Sequence, residues 1–145
     1  MSAKAVGYFA LIMGIVFLLV GIAGFVPGLV MEHQPAEGDV VADAGLLFGL
    51  FPVNLLHNLV HLAFGIWGVA VFRRFGAARL YAQAVAVIYA VLAVMGFFEG
   101  LNTLFGLVPL YGNDIWLHLV IAIAAAIFGF APIKPEAAAA HRPRT

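Results

Sequence analysis

The chain contains no cysteine. That excludes a disulfide framework, a thiolate zinc site and an iron–sulfur cluster. Charge is also scarce: only 10% of the 145 residues are Asp, Glu, Lys or Arg, and the formal net charge is zero. With no basic excess, nucleic acid is excluded as an expected partner. A soluble domain would carry about a quarter charged residues and be about half apolar. This chain is 65% hydrophobic with a mean hydropathy of +1.10. No phosphate-binding glycine loop, dinucleotide fingerprint or nucleophile–base pair is present either, so the sequence offers no enzyme motif.

What is present is four long apolar runs, about residues 6–26, 53–72, 80–98 and 115–133. Each approaches the ~20 residues needed to cross a ~30 Å hydrocarbon core. The first run is too long for the apolar region of a cleaved signal peptide, and Lys4 alone precedes it. The expected fold is therefore all-α, a polytopic membrane four-helix bundle in one domain over residues 1–133, with residues 134–145 as a loose polar tail.

The charges are sorted by side. Lys4, Arg73, Arg74, Arg79, Lys134, Arg142 and Arg144 all fall on one side of this plan. Glu32, Glu37, Asp39, Asp43, Glu99 and Asp114 fall on or beside the two opposite loops. The positive-inside rule then places both termini in the cytoplasm.

The halves resemble each other. FGLFPVNLLHNLVHL (48–62) and FGLVPLYGNDIWLHL (105–119) share six identities at an offset of 57, and GFVPGL (24–29) and GFFEGL (96–101) share four at an offset of 72. This reads as two parallel two-helix repeats related by an axis along the membrane normal. Small residues form stripes for close helix contact: Gly7, Gly14, Gly21 and Gly28; Gly65 and Gly68; Ala82, Ala86, Ala93 and Gly96; Ala122, Ala125 and Gly129. Trp67 and Tyr81 at the inner end, and Tyr111 and Trp116 at the outer end, read as interfacial anchors. Asn113 or Asp114 reads as the cap of the fourth helix.

The second run begins NLLHNLVHL (54–62), an unusual start for a membrane span. Asn54, His57, Asn58 and His61 share one helical arc with Gly65 and Gly68, so they face neighbouring helices and not lipid. Asp114 and His118 share the corresponding face of the fourth run. With Glu99 from the end of the third, they define a polar cluster in the outer half of the bundle. Four roles fit such a cluster. The groups can bond one another and fix helix register. They can ligate a transition metal, with His57, His61 and His118 as the expected ligands. They can hold a haem, chlorin or quinone, although no outer-side cation is available for haem propionates. They can mark an ion path, which then closes toward the cytoplasm. His33 and His141 lie in loop and tail and take no role.

The segments PVNLLHNLVHLAFGIWGV and GLVPLYGNDIWLHLVIA resemble the bacterial membrane family catalogued as domain of unknown function 4383. The likeness rests on Asn54, His57, Asn58 and His61 and on Asn113, Asp114 and His118. It implies four transmembrane helices and supplies no activity. A looser likeness to four-helix DoxX-type membrane proteins implies a respiratory or redox association. The first functional expectation is a small structural or accessory membrane subunit, in contact with lipid and with a larger complex or further copies of itself. It is not expected to be an enzyme on its own. The alternative is a membrane protein that binds a metal ion or a haem, chlorin or quinone-type ligand at the cluster.

Overall fold

Ser2 opens the first helix: its hydroxyl accepts from the Ala5 amide at 3.2 Å, the usual way to satisfy an orphan N–H of a first turn. The computed structural model describes residues 1–32 and 44–133. The expected tail 134–145, His33, His141 and the acids Glu37, Asp39 and Asp43 lie outside the described residues. The fold is mainly helical, with α1 (Ala3–Ala23), α2 (Leu55–Val71), α3 (Phe75–Gly96) and α4 (Asn113–Phe130). Between α1 and α2 lie three short strands, β1 (Val30–Glu32), β2 (Gly45–Leu47) and β3 (Phe51–Val53), forming an antiparallel sheet in the order β1-β2-β3. Leu46 pairs with Pro52. Proline is tolerated there because β3 is an edge strand.

Helices α1, α3 and α4 are long and apolar enough to cross a membrane, and α2 is a shorter apolar helix of 17 residues. That length sits at the lower end of the spanning range. Its expected start at residue 53 moves to 55 because Phe51–Val53 belong to the sheet. Helix α3 starts five residues earlier than residue 80. Arg79 does not end the run: its guanidinium donates to the carbonyls of Gly129 (2.9 Å) and Ala131 (3.3 Å) at the end of α4. Gln83 also donates to Gly129 O at 3.0 Å. These donors meet the carbonyls that a helix C-terminus leaves unpaired.

The closest helix pairs are α1 with α2 and α3 with α4, and α1 against α3 makes the largest contact between the pairs. Helices α2 and α4 therefore face each other across the α1/α3 contact. The small-residue stripes lie at these contacts. A Cβ on Gly14 would come within 2.7 Å of Val69 N and 2.9 Å of Gly65 O, and one on Gly65 within 2.9 Å of Gly14 O. The helices meet backbone to backbone, where lipid supplies no hydrophobic drive for association. Ala82, Ala86, Ala93, Gly96, Ala122, Ala125 and Gly129 are buried as expected. Gly28 is not: it lies beyond α1 in a turn with φ 88°. Tyr81 is fully buried against Trp67 (5.2 Å, 89°) and is a core residue, not an interfacial anchor. Large apolar side chains such as Ile12, Leu19, Ile66 and Val120 are exposed on the outer surfaces of the helices, a surface compatible with bilayer contact.

Backbone conformation recurs at the two sequence offsets. Gly28 (φ 88°) and Gly100 (φ 84°) are 72 apart; Phe48 (55°) and Phe105 (59°), and Gly49 (69°) and Gly106 (84°), are 57 apart. A bulky residue at positive φ is rare, and here the same residue type adopts it twice. Each turn closes alike, with Leu50 N bonded to Leu47 O (3.1 Å) and Leu107 N to Leu104 O (3.3 Å). The two connections are also tied to each other: Asn54 Nδ2 donates to Leu107 O (2.8 Å), and Asn113 Nδ2 donates to Leu50 O (3.1 Å).

Candidate metal centre

Asn54 caps α2. Its Oδ1 accepts from the His57 amide at 2.9 Å while its Nδ2 reaches Leu107. This fixes the first turn of α2 against the second connection and aims His57 inward. One turn on, Asn58 Nδ2 donates to Gly24 O at 2.9 Å. Any Cβ on Gly24 would collide with the Asn58 amide, so the absent side chain at 24 makes the room that Asn58 occupies. Helix α4 starts differently from the expectation. Gly112, at φ 65°, occupies the cap position without a side-chain bond, and Asn113 is spent on Leu50. Asp114 is left free to turn into the bundle.

Four groups converge there: His57 and His61 from α2, Asp114 and His118 from α4. Their relative exposures are 4%, 6%, 2% and 3%, so none of them faces lipid. The His57 and His61 ring centroids are 4.5 Å apart, and those of His57 and His118 are 6.3 Å apart. His57 Nδ1 is 3.8 Å from Asp114 Oδ2, too long for a hydrogen bond. Below them Phe17 of α1 and Tyr89 of α3 stack at 5.3 Å. Phe17 also stacks on His61 at 5.4 Å, and Tyr89 meets His118 edge-on at 5.0 Å. This aromatic floor separates the cluster from the core around Tyr81, Ala82 and Val85.

The donor atoms that come together are those of His57, Asp114 and His118, all within 4.8 Å of one another. His61 stands beside this trio but outside it, with its ring against Phe17. Asn54 and Asn58 serve backbone groups. Glu99 is exposed in the turn after α3 and does not reach the cluster. Of the residues expected in the cluster, His57, Asp114 and His118 bring one donor atom each within 4.8 Å of one another, and His61 is not among those three. Asp114 lies one helical turn before His118 on the same face, and the offset of 57 pairs it with His57. That signal was available in the sequence. The roles of Phe17 and Tyr89 were not foreseen, although they are 72 apart, the offset of the first repeated motif.

Several polar atoms here have no hydrogen-bond partner: His57 Nδ1, His61 Nδ1, His118 Nδ1 and Asp114 Oδ2. His57 Nδ1 is the ring atom turned toward Asp114, 3.8 Å from its Oδ2. Two imidazoles and one carboxylate suit a borderline divalent ion such as zinc, iron or manganese.

The family model described as "Domain of unknown function (DUF4383)" matches residues 7–131. The chain belongs to that family. The match spans both halves of the DUF4383 chain and every residue of the cluster, and it carries nothing of the looser DoxX-type likeness. No curated protein and no solved structure matches this DUF4383 member.

Proposed function

We propose that this protein is a multi-pass inner-membrane protein that holds one divalent transition-metal ion in the outer half of its bundle, through ring nitrogens of His57 and His118 and a carboxylate oxygen of Asp114. The observation that carries the reading is that donor atoms of buried His57, Asp114 and His118 lie within 4.8 Å of one another, with His57 Nδ1 and Asp114 Oδ2 at 3.8 Å and not hydrogen-bonded. A polar cluster that only fixed helix register would satisfy its own members. Leaving a buried donor or acceptor unmatched costs about 1–3 kcal/mol each. A cation removes that cost for the trio together.

The ion would join α2 to α4, the helices that the α1/α3 contact keeps apart, and so join the two halves. We read those halves as parallel repeats, supported by the matching left-handed turns at 48–49 and 105–106. The cytoplasmic placement of both termini is supported by Lys4, Arg73, Arg74 and Arg79 lying on one side. Three protein ligands leave a fourth position open, the pattern of reactive rather than purely structural zinc sites. No reaction is assigned to it. A tetrapyrrole is disfavoured because the cavity beside the rings, lined by His57, His61 and His118, measures about 190 Å³, below the ~300–1,000 Å³ of pockets for drug-sized ligands.

The test is elemental analysis of detergent-purified protein after loading with zinc, iron or manganese and desalting. The expected result is close to one ion per chain for wild type and background in His57→Ala, Asp114→Ala and His118→Ala, with His61→Leu unchanged. Background metal in the wild type, or equal metal in all variants, overturns the proposal.

A further inference from the structure

A cavity of about 190 Å³ lies beside the trio, with His61, Tyr89, Val60, Ile88, Leu92 and Leu104 among its lining residues. His57, His61 and His118 are among the lining residues, and His61 Nδ1 is buried with no hydrogen-bond partner and is not a donor of the trio. The other walls are aliphatic. Val60 of α2 and Ile88 of α3 are about two-fifths exposed on the lateral surface of the bundle, so the cavity reaches the flank that acyl chains would cover. Helices α2 and α3 make few contacts with each other, which leaves the gap between them. The roof comes from the second connection, where Leu104, Phe105 and Gly106 are held at φ 46°, 59° and 84° in succession. Consecutive left-handed residues, two of them bulky, are costly and persist only where the surroundings over-determine them.

We propose that this cavity is a lateral binding site for a membrane-dissolved molecule of the quinone class, whose flat carbonyl-bearing head enters between α2 and α3 and accepts a hydrogen bond from His61. A neutral imidazole can carry its proton on Nδ1 and donate it to a carbonyl. The volume suits a single six-membered ring, with the apolar chain left among the lipids past Val60 and Ile88. Phe17 stacked under His61 holds that ring in place. The site uses an imidazole the metal trio does not need, so it stands or falls separately from the metal reading.

The experiment is titration of the full-length protein in nanodiscs with decylubiquinone, in metal-free and metal-loaded samples, with empty nanodiscs subtracted. Expected are saturable binding near one per chain in both samples, about tenfold weaker binding in His61→Leu, the scale of one lost hydrogen bond, and loss of saturable binding in Leu92→Trp, which fills the cavity. Ile88→Trp serves the same purpose if Leu92→Trp does not fold. A wild type that shows only partitioning, cavity-filling variants that bind as wild type does, or an alkane of matched chain length that binds equally well would each overturn the proposal.

Discussion

The contact between α1 and α2 is the place where a single methyl group should matter most. Gly14→Ala adds a Cβ that would stand 2.7 Å from Val69 N and 2.9 Å from Gly65 O, against 3.4 Å or more for ordinary contact. Both neighbours are backbone and cannot rotate away, so the helices must separate by several tenths of an ångström. Overpacking of this kind costs about 1–3 kcal/mol. Alanine's better helix propensity returns at most ~1 kcal/mol, so a net loss of about 1–2 kcal/mol is expected. Gly65→Ala makes the reciprocal clash with Gly14 O at 2.9 Å and should cost a similar amount. Because one separation of the helices relieves both clashes, the double variant should cost less than the two singles added together. Gly76→Ala is the control: nothing lies within 4 Å of a Cβ there, so it should be neutral or slightly stabilising. Unfolding in mixed micelles with increasing SDS, followed by circular dichroism, measures all four proteins. A Gly14→Ala variant as stable as Gly76→Ala would refute the backbone-to-backbone packing of α1 on α2.

Asn54→Ala removes both the α2 cap and the bond to Leu107, an expected loss of about 1–3 kcal/mol; Asn54→Asp should keep the cap and recover part of it, read by the same unfolding assay. Asn58→Leu should destabilise by about 1–3 kcal/mol because Gly24 O loses its donor and the larger side chain meets α1, whereas restoring stability with a small residue at 58 would show that packing dominates. Metal at a hundredfold excess over its Kd should stabilise the wild type by about 2.7 kcal/mol, seen as a chelator-sensitive rise in thermal midpoint that vanishes in Asp114→Ala. Replacing the trio together by apolar residues of similar shape should raise the stability of the metal-free protein while abolishing metal uptake. A fall in metal-free stability would mean the three groups already support one another.

The helices and their buried faces were legible because apolar length and small-residue periodicity are local properties. Gly14, Gly65, Ala86 and Ala122 lie where the stripes placed them, and the polar face of NLLHNLVHL turns inward as its arc required. Tyr81 was misjudged because nearness to a span end says nothing about which face a residue occupies. The sheet was not legible: three-residue strands carry no alternation, and Pro52 argues against a strand unless its edge position is known. At the site, the identity of the cluster was readable but its division was not. The packing of the His61 ring against Phe17 depends on a contact between segments distant in the chain. The repeated FGL motif did carry its conformation, since Phe48 and Phe105 share a left-handed backbone that few bulky residues adopt.

The central claim is that His57, Asp114 and His118 act on one shared ion. Metal-edge X-ray absorption of the zinc-loaded, detergent-purified protein tests it most directly. Zinc-loaded wild type is expected to show a four-coordinate site with the outer-shell scattering of two imidazoles and oxygen in the remaining positions, and His118→Ala is expected to retain only background zinc. A site whose spectrum contains no imidazole scattering, or is unchanged by His118→Ala, would contradict it.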